Sequence, residues 1–136
     1  MILNTYVNCG GTCEQAFRFY EQQLGGRISS LMRHGEMPGG RVQRDDWKEK
    51  VLHARLELGG TELFGADIPD AQPMRSAYLS LTLATIEEAE RVYALLSDGG
   101  EIFMPMADTF FAMRFSMLRD RFGTSWMLLG PAPQSA

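Results

Sequence analysis

The chain repeats itself. Thr12-Cys13-Glu14-Gln15-Ala16 recurs seventy-three positions later as Thr85-Ile86-Glu87-Glu88-Ala89, and Tyr20 recurs at the same offset as Tyr93. Gly25-Gly26-Arg27-Ile28 recurs as Gly99-Gly100-Glu101-Ile102, and Gly60-Thr61-Glu62-Leu63-Phe64 recurs as Gly123-Thr124-Ser125-Trp126-Met127. Self-similarity over this length means two copies of one supersecondary unit, and few architectures are built that way. It also gives each position a twin, so one half of the chain serves as a control for the other.

Each copy opens on a short apolar strand, Ile2–Asn8 in the first and Tyr78–Leu83 in the second. Each strand runs into a helix. Thr12 with Gln15 and Thr85 with Glu88 fit the capping box, in which the hydroxyl takes the amide three residues on. Apolar stripes follow at helical spacing, Ala16, Phe19, Tyr20, Leu24 and Ala89, Val92, Tyr93, Leu96, and each helix stops at Gly-Gly. Three strands then follow in each copy. They are Arg27–Arg33, Val51–Leu58 and Glu62–Ala66 in the first, and Ile102–Pro105, Arg114–Leu118 and Ser125–Leu129 in the second. The fold class is therefore α+β, two tandem βαβββ modules with helices outside the sheets. Module 1 covers about 1–68, a linker about 69–76, and module 2 about 77–130, together one domain over 1–136. An insertion between Glu36 and Lys50 in the first copy reads as a solvated loop or a lid.

Within Val51–Leu58 the residues alternate. Leu52, Ala54, Leu56 and Leu58 are expected under the helix, with His53, Arg55 and Glu57 on the other face. Two curved four-stranded sheets side by side make that other face concave, so it is the expected ligand surface.

Composition narrows the function classes. An apolar fraction of 45% with 22% charged residues suits a folded soluble chain. The net charge of -4 argues against a nucleic-acid partner, which needs a surplus of Lys and Arg. No apolar run approaches the roughly 20 residues of a membrane span, and the amino terminus lacks the basic region of a signal peptide. Two cysteines, Cys9 and Cys13, are too few for a disulfide framework. The expected location is cytoplasmic.

Several segments carry a family resemblance. Val51-Leu52-His53-Ala54-Arg55-Leu56-Glu57-Leu58-Gly59-Gly60-Thr61, then Met104-Pro105 with Asp108-Thr109-Phe110-Phe111-Ala112-Met113-Arg114-Phe115, then Asp120-x-Phe122-Gly123-x-x-Trp126-Met127 stand in order. With the repeat, they resemble the vicinal oxygen chelate superfamily of glyoxalase I, bleomycin-resistance proteins and extradiol dioxygenases, and more closely its PhnB-like branch. The resemblance implies an open, curved, eight-stranded barrel-like cleft, commonly in a homodimer. Some relatives carry a ubiquinone-methyltransferase label, but no segment here resembles a loop for S-adenosylmethionine.

Metal-using members of that superfamily take two ligands from each unit, a His on the first strand and a Glu on the fourth. Counting seven residues back from each helix cap and four on from each turn glycine assigns these positions to Thr5 and Tyr78, and to Phe64 and Met127. Imidazole, carboxylate and thiolate are the donors that Mn, Fe, Ni and Zn require. None of the four supplies one, so no metal and no other cofactor is expected.

Two function classes remain. One is a metal-independent small-molecule binding protein, a homodimer with its ligand in a cleft formed by Thr5, His53, Arg55, Phe64, Tyr78, Ser80, Phe110, Phe111, Arg114 and Met127. The other is a lyase, isomerase or transferase with His53 as acid–base and Arg55 or Arg114 holding an anionic substrate. For His53 the plain alternative is a histidine hydrogen-bonded across strands, and for Arg55 a pair with Glu57. The repeat gives Ser116 as the twin of His53. Cys13, at a helix start, is either a reactive thiol or an ordinary reduced cysteine. His34 is expected to be exposed.

Overall fold

The structure is a computed structural model that describes residues 1–37 and 45–133. It separates into two compact units, Met1–Gln72 and Pro73–Ala136. In the first unit, β1 (Thr5–Cys9) leads into α1 (Cys13–Leu24), followed by β2 (Arg27–Arg33), β3 (Val51–Leu58) and β4 (Thr61–Asp67). In the second, β5 (Leu79–Thr82) leads into α2 (Ile86–Ser97), β6 (Glu101–Ala107), β7 (Phe115–Arg119) and β8 (Ser125–Leu129). The strand orders are β1-β4-β3-β2 and β5-β8-β7-β6. The first strand of each unit is parallel to the last, and the other pairs are antiparallel. Each unit is thus a mixed four-stranded sheet with one helix on one face.

β1 starts later than the apolar pattern implies. Met1, Ile2 and Leu3 are exposed and make no strand pairing, and pairing begins at Thr5, which lies opposite Leu63. Residues 38–44, where a lid in the Glu36–Lys50 insertion would lie, are outside the described residues. The flanks of that insertion are short helical turns, His34–Glu36 and Asp45–Trp47.

α1 lies over β2, β3 and β4. Its buried side chains are Cys13, Ala16, Phe17 and Tyr20, the i, i+3, i+4, i+7 stripe of an amphipathic helix. Phe17 therefore holds the inward position that the sequence pattern gave to Phe19. Gly65 on β4 makes room for it, because a Cβ there would sit 2.6 Å from Phe17 Cζ and 3.2 Å from Cys13 Sγ. Ala54 and Leu56 are fully buried on the same face, as the alternation of β3 requires. In the second unit, α2 packs on β6, β7 and β8 through Ala89, Val92 and Leu96, above Leu118, Trp126 and Leu128.

The two helix starts differ. Thr85 accepts the Glu88 amide at 3.1 Å, as the capping pattern predicts. Thr12 makes no side-chain cap. The amides of Gly11 and Cys13 instead donate to Oδ1 of Asp67, both at 2.9 Å, and Val51 N donates to Oδ2 at 2.8 Å. Asp67 is 1% exposed. A full negative charge held at the positive end of α1 satisfies amides the helix cannot pair internally, and it leaves Thr12 nothing to do. The same carboxylate ties the helix to β3, so one side chain fixes the helix, β3 and β4 together.

Asp120 has a comparable structural role in the second unit. Its Oδ1 accepts from Phe122 N and Thr124 N, and its Oδ2 accepts from Trp126 Nε1 at 2.9 Å. The closing Asp-x-Phe-Gly-x-x-Trp segment is therefore a turn lock and a core anchor rather than a reactive site.

Candidate functional site

The open face of the first sheet, away from α1, gathers Tyr6, His53, Arg55 and Phe64. Tyr6 lies directly opposite Phe64 in the parallel β1–β4 pair, and Arg55 lies opposite Phe64 in the antiparallel β3–β4 pair. The Tyr6 and Phe64 rings meet edge to face at 6.4 Å, and His53 lies 5.8 Å from the first and 5.7 Å from the second. The Arg55 guanidinium carbon sits 5.0 Å from the centre of the Phe64 ring, a cation–π distance. Met32, opposite His53 on β2, is 41% exposed at the border of this patch.

Hydrogen bonding fixes the state of His53. Arg55 Nε donates to His53 Nε2 at 3.3 Å. A guanidinium has no acceptor, so Nε2 must present its lone pair. The proton of the neutral ring is then on Nδ1, which donates to the Tyr6 hydroxyl oxygen at 3.3 Å. Partial burial, followed by the influence of the Cys13 thiol, raises the Tyr6 phenol above its usual value. The patch is therefore a neutral aromatic floor with one guanidinium at its edge.

The structure redistributes several expected roles. Thr5 is opposite Leu63 and belongs to the strand phase of Val7 and Cys9, which face α1; Tyr6 occupies the place beside Phe64. In the second unit Ser80, not Tyr78, is opposite Met127. By strand register the first unit has one more residue between β1 and α1 than the second has between β5 and α2, and Gly11 there is held at φ 115°, where only glycine is unstrained. Counting seven back from the caps therefore passes Tyr6 by one residue, onto the other face, and passes Ser80 by two, which keeps the face but leaves the pairing with Met127. A second single-residue difference corrects the twin of His53. Leu58 pairs with Thr61 across a two-residue turn, whereas Asp120 N reaches Thr124 O across a three-residue one. The residue corresponding to His53 is therefore Phe115; Ser116 faces α2, fully buried, with its hydroxyl on Met104 O.

Arg114 is not available as an anion clamp. Its Nε pairs with Glu90 of α2 at 3.1 Å and its Nη1 with Asp108, and the Glu90 bond raises its pKa further. Glu57 is taken by Arg27, in a two-pronged contact at 2.9 and 3.1 Å, rather than by Arg55. His34 is half-buried. Its Nε2 lies 3.0 Å from Asp67 O, and its ring stands edge-on to Trp47 at 6.0 Å. Cys13 is fully buried, and a hydrogen bond with Cys9 together with burial pushes its thiol up. The negative charge of Asp67 adds to this in the same direction, and a fully buried, raised thiol is an ordinary reduced cysteine. Phe110 is 93% exposed; Phe111 stacks edge-on between Phe110 and Phe115, both at 5.1 Å.

The side chains that stand opposite each other on the first and last strands are Tyr6 and Phe64 in one unit and Ser80 and Met127 in the other. A phenyl ring has no donor, a thioether is soft, and neutral hydroxyls are weak ligands. These residues do not fit the divalent ion of that superfamily. Among the described residues no group of three or more His, Cys, Asp or Glu is gathered to hold one elsewhere. A shallow groove of about 670 Å³ lies at the opposite end of the first sheet, between Asn4, Arg27, Glu57 and the Gly59-Gly60 turn. It contains neither His53 nor Phe64.

The structure places His53, Arg55 and Phe64 of the sequence reading on one face, and Tyr6, which that reading did not single out, stands among them. The available signal was the parallel pairing of first and last strands, which sets Tyr6 beside Phe64 once the Gly10-Gly11 turn is given its true length.

The model of the Glyoxalase/Bleomycin resistance protein/Dioxygenase superfamily matches residues 2–128. The chain is 28% identical to Protein YjdN of Escherichia coli (strain K12), over 94% of each chain. Among solved structures, protein PA1353 from Pseudomonas aeruginosa is 34% identical, with a TM-score of 0.84 over 96% of this chain and 97% of that one. A Bacillus cereus PhnB protein, named as a putative 3-demethylubiquinone-9 3-methyltransferase, is 27% identical, with a TM-score of 0.80 over 96% of this chain and all of that one. With the βαβββ repeat and the closing Asp120–Met127 segment in place, the chain belongs to the glyoxalase/bleomycin resistance/dioxygenase superfamily, in its PhnB-like branch.

Proposed function

We propose that this protein is a metal-independent small-molecule binding protein, with the open face of β1, β3 and β4 as part of its ligand surface. One observation carries the reading. Where metal-using relatives have a carboxylate on the fourth strand stands Phe64, enclosed by Tyr6, His53 and Arg55. An aromatic floor with a guanidinium at its edge binds planar or aromatic molecules by stacking, with the hydroxyl and imidazole setting orientation. The enzyme reading, with His53 as general base, requires a lone pair that Arg55 already occupies, so the binding reading is the better supported. On this proposal the working form is a cytoplasmic homodimer, and Thr5, Tyr78, Ser80, Phe110, Phe111 and Met127 are further candidates for ligand contact.

The test is a thermal-shift screen of aromatic small molecules against the full chain, since a ligand of the folded state raises the melting temperature. Elemental analysis of the purified protein accompanies it. Hits whose shift is lost in Phe64→Ala and Tyr6→Ala, with no turnover, support the proposal. Stoichiometric Mn, Fe, Ni or Zn, or turnover abolished by His53→Ala while binding survives, defeats it.

A further inference from the structure

The segment that joins the two repeats is built into the second unit. Met74 N donates to Gly123 O at 2.8 Å, and Met74 O receives the Ser125 hydroxyl at 2.6 Å and Arg119 Nη1 at 3.4 Å. Two residues on, Ser76 adopts φ 66°, a left-handed conformation that a residue with a side chain rarely takes. Arg75 is thus held between a pinned residue and a strained one. Strain of this kind persists only where the surroundings impose it, and it is a recurrent mark of functional positions.

The Arg75 guanidinium carbon lies over the Phe103 ring, 3.9 Å from its centre, and its Nη1 donates to the Tyr78 hydroxyl at 3.0 Å. Tyr78 in turn meets Phe103 edge-on at 6.5 Å. Because the Tyr78 oxygen accepts from Arg75, its own proton points elsewhere and is available for donation. A second guanidinium, Arg119, stands 5.5 Å from the same ring but is neutralised by Glu101 at 2.8 Å. Arg75 has no ion-pair partner among the described residues and is exposed. The result is a cation held at two points, with spare N–H donors and an adjacent O–H donor, and no acid paired with it among the described residues. Two residues beyond Tyr78 lies exposed Ser80, opposite the Met127 thioether.

We propose that Arg75 and Tyr78 form a binding site for the carboxylate of a small organic acid. The planar guanidinium edge matches the two oxygens of a carboxylate, and stacking on Phe103 removes the ordering cost that a mobile arginine would incur. This site lies wholly within the second unit and does not depend on the ligand reading of the first.

Benzoate serves as the probe and benzamide as its uncharged analogue, each titrated into the full chain and followed by NMR through the side-chain Nε–H of Arg75. Benzoate is expected to shift that signal saturably and benzamide to leave it in place. Arg75→Gln is expected to weaken benzoate binding at least about tenfold and Tyr78→Phe about fivefold, with Arg27→Gln unchanged. Equal binding of benzamide, no saturable response to benzoate, or binding that survives Arg75→Gln but is lost in Arg55→Gln overturns the proposal. Arg75 is exposed, and the amide dispersion of the variant verifies that it is folded.

Discussion

The Tyr6 hydroxyl accepts a hydrogen bond from Nδ1 of His53 across two strands, at 3.3 Å. This contact exists because Arg55 donates to the other ring nitrogen, which leaves Nδ1 as the protonated site. His53 should therefore hold the Nδ1–H tautomer at neutral pH. Two-bond proton–nitrogen NMR should report that tautomer as dominant in the native protein. In Arg55→Met the constraint is gone, and the spectrum should move toward the Nε2–H form. A native spectrum dominated by Nε2–H defeats the assignment.

Asp67 rather than Thr12 caps α1. Removing its carboxylate strands the amides of Gly11, Cys13 and Val51. Asp67→Ala should cost about 3–5 kcal/mol in urea denaturation, at 1–3 kcal/mol for each orphaned group with partial relaxation. Thr12→Ala should cost less than about 0.5 kcal/mol. The reverse order would restore the capping box that the sequence suggests.

Gly65 and Phe17 share one space. The Cβ of Gly65→Ala would fall 2.6 Å from Phe17 Cζ, and overpacking of this kind costs about 1–3 kcal/mol. Phe17→Ala alone should cost about 3–5 kcal/mol through the cavity it leaves. In the double variant the new methyl occupies part of that cavity. The double-mutant cycle should fall short of additivity by about 1 kcal/mol or more, and strict additivity would show that the two do not compete.

Cys13 should be inert in the native state. Its thiol is raised by the hydrogen bond with Cys9 and by burial. A folded pKa above the unfolded value of about 8.5 means the thiol contributes stability below that pH and loses it as pH rises past it. Iodoacetamide labelling at pH 8, mapped by mass spectrometry, should follow the rate of unfolding in urea. The loss of stability above pH 8.5 should be smaller in Cys13→Ala. Rapid labelling of the native protein would reinstate the reactive thiol.

Glu14 gives the opposite pH dependence. Its hydrogen bonds from Arg33, at 2.8 and 3.1 Å, hold its carboxyl below the usual range. The pair contributes above the unfolded carboxyl pKa of about 4.3 and is lost as pH falls through the lower folded value. With both side chains about a third exposed, solvent screening limits the effect to about 1 kcal/mol or less. Glu14→Gln should therefore destabilise slightly at pH 7 and show a weaker acid dependence than the wild type.

Regular periodicity was legible in the sequence. Arg27–Arg33, Val51–Leu58 and Ser125–Leu129 are strands with the bounds the sequence implies, the second through its alternation from Leu52 on and the other two as short runs that follow Gly-containing turns. Ends were less legible. Ile2 and Leu3 look like strand residues, but the strand lasts only where β4 supplies a partner. Phe19 and Phe17 suit the same helix, and the pocket above Gly65 selects Phe17.

The sequence by itself determined the duplication, the α+β class and the family. These depend on composition and spacing within continuous segments. Only the tertiary structure decided which side chains meet. The β1–α1 connection and the three-residue turn at 121–123 each add one residue to one copy of the repeat, and in a strand a one-residue shift exchanges the two faces. Tyr6 therefore replaces Thr5 beside Phe64, and Phe115 replaces Ser116 as the counterpart of His53. Asp67, Arg114 and Arg75 are alike in a linear reading, as charged residues near loops. Each has at least one partner distant along the chain, Gly11 and Cys13 for Asp67, Glu90 for Arg114 and Phe103 for Arg75, and those partners make the first a helix cap, the second a neutralised strut and the third an exposed, oriented cation.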